Sequence, residues 1–258
     1  MPYRRECFAT RLSTGRTQKG GTGLFIGDPD TGGWAPELAN GRVGAIAIRE
    51  SFYPAARYLG RTADGAVAED GPGTPDEVRR WLTGSADTGA VLHLACHAVM
   101  QSAPNVEDAS YLLLAGAERM TAEEVLDAGT ERGGRPLRIA ILATCSTSAT
   151  GHSYDEAFSL ATAFLTAGAE SVISTQWRPA DQSSSVLMYM FHFYLQTMPP
   201  ADALRAAQLW MSRPDRELPH AMPAAVARHV GSGPADLPDW AASSTPAGEL
   251  SLGHGGRR

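Results

Sequence analysis

Leu137-Arg138-Ile139-Ala140-Ile141-Leu142-Ala143-Thr144-Cys145 is the most apolar run of the chain, and it breaks at once into a Ser/Thr/Gly stretch that lasts to Gly151. Nine residues are too few for a buried helix, so the run reads as an interior strand ending on a cysteine. Upstream, Val91-Leu92-His93-Leu94-Ala95-Cys96-His97 has the same character and ends on a histidine. Leu24-Phe25-Ile26, broken by Gly27-Asp28-Pro29-Asp30, Tyr111–Ala115 and Ser171–Gln176 read as further strands. Between them lie helix signals. Thr74-Pro75-Asp76-Glu77, Thr121-x-x-Glu124 and Ser153-x-x-Glu156 are capping boxes, and Gly168 is a stop. Helices are expected over 36–58, 74–82, 121–128, 153–166, 182–197 and 200–211. Strands alternating with helices at this spacing predict an α/β fold around a largely parallel sheet.

The composition suits a folded protein: 258 residues, 43% hydrophobic and 19% charged. Lys+Arg 22 against Asp+Glu 28 gives a net charge of −6, which argues against nucleic acid or an anionic membrane as the main partner. Lys19 is the single lysine, leaving little scope for lysine-based covalent chemistry. No apolar run reaches the ~18–20 residues of a membrane span, and no signal-peptide pattern opens the chain. Cys7, Cys96 and Cys145 are too few for a disulfide framework, so a cytoplasmic protein with free thiols is expected. Residues 1–23 are polar and read as a disordered lead-in; residues 24–242 read as one domain and 243–258 as a flexible tail.

In open α/β sheets the reactive groups gather beyond the carboxyl ends of the strands. His97 and Cys145 stand at two such ends. Alternation puts His93, Ala95 and His97 on one face and Leu92, Leu94 and Cys96 on the other, so Cys96 reads as core. A thiolate with a nearby imidazole supplies a nucleophile and a proton carrier. Joint metal ligation by His93, Cys96, His97 and Cys145 fails, because the alternation divides them between faces. The Met188, Met190, Phe191, Phe193 and Tyr194 cluster reads as core packing.

Leu24-Phe25-Ile26-Gly27-Asp28-Pro29, His93-Leu94-Ala95-Cys96-His97-Ala98 and Ile141-Leu142-Ala143-Thr144-Cys145-Ser146-Thr147, taken in order, resemble the CHAT domain family. The likeness continues through Asp155-Glu156-Ala157-Phe158-Ser159-Leu160 and Ser171-Val172-Ile173-Ser174-Thr175-Gln176-Trp177. These are caspase-like cysteine peptidases of the clan that includes separase. The resemblance implies a three-layer sandwich with a mostly parallel central sheet, and a His97/Cys145 dyad that cleaves a protein partner through an acyl-enzyme. It also implies main-chain oxyanion donors at Ala98 and Cys145, and no metal or cofactor. A separate regulatory or sensor protein, and a place in a bacterial defence or regulated-death system, follow from the same likeness. Asp155 could line a pocket for a basic substrate residue, as in arginine-specific relatives, or simply favour the first turn of its helix.

The chain departs from the family at Ala98 and Ser148, where glycines are usual, and at its ends, where family strands are absent and edge strands of the sheet could be missing. Those departures favour an alternative, a non-catalytic interaction module of the same fold. An unrelated cysteine hydrolase would need an acidic residue orienting His97, and the sequence nominates none.

Overall fold

The two apolar runs that lead toward His97 and Cys145 lie side by side at the centre of one parallel sheet. The computed structural model describes residues 7–9, 22–84, 91–99, 110–132, 137–143, 145–146, 157–175 and 181–230. The first half of the chain forms β1 (Cys7–Ala9), β2 (Gly23–Gly27), α1 (Ala39–Phe52), β3 (Arg57–Gly60), α2 (Pro75–Thr83) and β4 (Val91–Ala95). There follow β5 (His97–Val99), β6 (Tyr111–Leu113), β7 (Arg119–Thr121), α3 (Ala122–Glu131), β8 (Leu137–Leu142) and β9 (Cys145–Ser146). The chain continues through α4 (Ala157–Thr166), β10 (Ala169–Thr175), α5 (Asp181–Leu195), α6 (Pro200–Met211) and α7 (Ala224–Ala227).

The large sheet has the order β1-β10-β8-β4-β2-β3, with five parallel strands and β1 antiparallel at one edge. Period-2 alternation divides its side chains between two apolar layers. Phe25, Ile139, Ile141 and Ile173 pack with Ile48 of α1, Tyr189 and Phe191 of α5, and Leu204 of α6. Leu24, Ile26, Leu92, Leu94, Ala140, Leu142 and Val172 pack with Val78 and Trp81 of α2, Val125 of α3, and Phe164 of α4. Helices therefore cover both faces, and the expected three-layer sandwich is what the chain builds. The Thr74/Glu77 and Thr121/Glu124 capping boxes are both formed, and Gly168 leaves α4 at a φ of 96°.

Three expectations need correcting. Part of the lead-in is ordered: Cys7–Ala9 pairs with Ile173–Thr175 and covers an edge of the sheet. Three residues are too short to show a period, and the strand is specified by its partner rather than by its own pattern. The helix expected over 36–58 ends at Phe52, because Pro54 cannot continue it. Arg57–Gly60 then forms an edge strand beside β2. Neither Val91–His97 nor Leu137–Cys145 is one strand: the first breaks at Cys96 and the second after Leu142, and His97 and Cys145 begin strands of a second sheet, ordered β7-β6-β5-β9. The Ser153/Glu156 capping box, Trp177 and the tail lie outside the described residues.

Candidate active site

β4 and β8 leave the large sheet together and pair again in the small one as β5 and β9. Leu94 pairs with Leu142, and three residues further along each strand His97 pairs with Cys145. The register survives the change of sheet. Ala98 pairs with Ser146 on one side and with Leu112 on the other.

The small sheet is amphipathic in the same period-2 sense. Ala98, Leu112 and Met120 face the core layer that holds Leu92, Leu94 and Cys96. The alternate residues, His97 and Val99 on β5, Tyr111 and Leu113 on β6 and Arg119 on β7, belong to the other face. Cys96 is a fully buried thiol in the first group, as the alternation required. Ala98 is buried too, and it is not among the residues with positive φ. A methyl group at this position carries no left-handed strain, so the loss of the family glycine costs nothing in backbone conformation.

His97 is 4% exposed, and its Nε2 lies 2.7 Å from the carbonyl oxygen of Pro36. A carbonyl can only accept, so Nε2 carries the hydrogen. In the neutral ring Nδ1 therefore holds the lone pair, and among the described residues it has no hydrogen-bond partner. Among the described residues no carboxylate orients the ring; a main-chain carbonyl does. Pro36 escaped the sequence reading because every residue has a carbonyl.

Pro36 belongs to the β2–α1 loop, and Asp28 holds that loop in place. The Asp28 carboxylate is buried and accepts the Leu38 N–H at 3.0 Å. It pairs with Arg61 at 2.8 Å and Arg42 at 3.4 Å, and both arginines also reach Glu37. Arg61 Nε further donates to the Asp28 carbonyl at 2.9 Å. Gly27 is required beside it, because the Tyr58 hydroxyl occupies the place a Cβ would take. The Gly27-Asp28-Pro29 signal was visible in the sequence; its role in seating His97 was not.

His93 and Ala95 point to the opposite core layer from Cys96, toward α5. His93 Nδ1 lies 3.1 Å from His192 Nε2, and His192 Nδ1 lies 3.0 Å from the Tyr53 hydroxyl. Gln196 Nε2 donates both to that hydroxyl and to the His192 carbonyl. Tyr53 accepts from Gln196, and its contact with His192 and the contact between the two rings each share one hydrogen, with donor and acceptor set by the tautomer. Burial pushes His93 down to about 3; burial, and then the neighbouring His93, hold His192 well below its ordinary value. Both rings are neutral, and neither reaches His97. Burial also raises the Tyr53 hydroxyl, keeping it protonated.

Asp155 and Ser148 lie outside the described residues, as do the side chains of Cys7 and Cys145. No group of three or more His, Cys, Asp or Glu side chains suited to a metal occurs among the described residues, and no described helix is long and apolar enough to cross a membrane. Comparison with curated proteins gives no match. The family model of the CHAT domain matches residues 3–249, from before β1 to beyond α7 and wider at both ends than the motifs alone indicated. The match runs through both the strand that carries His97 and the strand that carries Cys145, and by it the chain belongs to the CHAT domain family, which is related to the caspase-like cysteine peptidases.

Proposed function

We propose that the chain is a cysteine peptidase in which Cys145 is the nucleophile and His97 the proton carrier, acting on a protein partner. The observation that carries this reading is the register pairing of His97 with Cys145 on adjacent parallel strands, whose backbones run about 4.8 Å apart. The Cys145 thiol passes its proton to His97 Nδ1, and the thiolate attacks the scissile carbonyl carbon. The main-chain N–H groups of Ala98 and Cys145 are the oxyanion donors of this scheme. Collapse of the tetrahedral adduct breaks the C–N bond, and the imidazolium returns its proton to the departing amine. Water, deprotonated by the same nitrogen, then hydrolyses the thioester and restores the thiol. The Pro36 carbonyl keeps Nδ1 as the working nitrogen throughout, and it stabilises the imidazolium through the Nε2–H.

A peptidyl acyloxymethyl ketone is the test. It is expected to modify Cys145 and to spare Cys7 and Cys96, as mapped by mass spectrometry. Cys145→Ala should abolish the label, and His97→Ala should slow it by about two orders of magnitude or more. Labelling that persists in Cys145→Ala would dispose of the proposal.

A further inference from the structure

Beside His97 the structure holds a cavity of about 360 Å³ whose walls include Trp34, Pro36, Val99, Tyr111, Leu113 and Arg119. Pro36 is shared with the histidine, so the cavity adjoins the proposed site directly. Its position relative to the nucleophile follows from the small-sheet order β7-β6-β5-β9. Cys145 is on β9 and His97 on β5, whereas Tyr111 and Leu113 are on β6 and Arg119 on β7. The cavity therefore lies across His97 from Cys145. A substrate whose acyl carbon is bonded to Cys145, and whose nitrogen takes a proton from His97, runs its leaving half over the imidazole toward β6 and β7.

From this we infer that the cavity binds the side chain of the residue directly after the scissile bond, and that it selects a large apolar, preferably aromatic, residue. The inference rests on the peptidase reading and adds the specificity of the leaving side. The walls carry the chemistry. Tyr111 and Leu113 are buried at the base, and Trp34 is 73% exposed at the rim, a large aromatic surface with no core to fill. The Arg119 guanidinium lies over the Tyr111 ring, 4.5 Å from its centroid, and extends the wall as a flat cation. Trp34 sits in the loop that Asp28 anchors, so one loop both orients the histidine and forms the rim of the cavity.

The test is digestion of a proteome-derived peptide library by the full chain, with cleavage sites read by mass spectrometry. A peptidyl acyloxymethyl ketone, which has no amino acid beyond its reactive carbon, reports whether the nucleophile is formed in each variant. Wild type should enrich Phe, Tyr, Leu and Met directly after the cleaved bond. Trp34→Ala should lower kcat/KM about tenfold for a Phe-containing peptide relative to its Ala counterpart. Arg119→Ala should lower the same ratio severalfold, because it removes the flat wall over Tyr111. Both side chains are exposed, so neither variant removes core packing. An unchanged preference after the bond in both variants, with Cys145 still labelled, overturns the inference and leaves the peptidase reading standing. Failure of the wild type to be labelled or to cleave overturns both.

Discussion

Asp28 is held at a φ of 47°, a left-handed conformation uncommon outside glycine and tolerated best by Asp and Asn. Its buried carboxylate faces two guanidinium groups, so two properties of one residue can be separated by substitution. Asp28→Asn keeps the backbone tolerance and discards the charge; Asp28→Ala discards both. Asp28→Ala is expected to cost about 3 kcal/mol in urea unfolding, because among the described residues it leaves Glu37 as the one carboxylate in ion-pair contact with Arg42 and Arg61. Labelling of Cys145 should slow in both variants as the Pro36 carbonyl loosens from His97. Asp28→Asn that matched wild type in both measurements would show the charge to be dispensable. At this scale the sequence was legible where side-chain type carried the meaning. His97 and Cys145 were nominated by their motifs and by following two apolar runs, and the structure pairs them in register; Cys96 was read as core by alternation and is buried. The sequence was silent on Pro36, where the working atom is main chain, and on His192, which reaches His93 only after α5 has packed on the sheet.

Helix starts were the most legible elements, because a capping box is a local hydrogen-bond arrangement written in four residues. Thr74 and Thr121 each accept the N–H three residues on, at 3.3 and 3.2 Å, and the paired glutamates return to their N–H groups. Thr74→Ala and Thr121→Ala should each lower stability by about 1 kcal/mol in denaturant unfolding, against a negligible effect for Thr130→Ala, where the hydroxyl instead donates to a carbonyl. A null effect at both caps would mean that tertiary packing alone sets where these helices begin. Strands were harder to place. β3 is a four-residue edge strand following Pro54, and its position depends on pairing with β2 rather than on a pattern of its own. The break at Cys96 is invisible in an unbroken apolar run, because what changes there is the sheet to which the chain belongs. That change gives the candidate site its form, since it carries His97 out of the helix-covered sheet to a face shared with Tyr111 and Arg119.

His93 and His192 lie neutral in the interior, and they contribute to the response of the whole molecule to acid. Above about pH 6.5 they are uncharged whether the chain is folded or not, and they add no pH dependence. Below it the unfolded chain takes up protons that the folded chain refuses, because the folded values are depressed. Stability should then fall by about 1.4 kcal/mol per pH unit for the first histidine involved, levelling only near pH 3, where His93 itself protonates. Unfolding curves from pH 7.5 to 4.5 check this. The His93→Phe/His192→Leu double variant should show the shallower slope, and equal slopes would remove the histidines from the account.

β1 also matters beyond its three residues. It supplies the hydrogen-bonding partner for the rim of β10, and a rim stripped of that partner is a template for any strand that meets it, including one from another molecule. Deleting residues 1–9 should therefore leave the fold standing and convert a discrete particle into one whose sedimentation coefficient climbs with concentration.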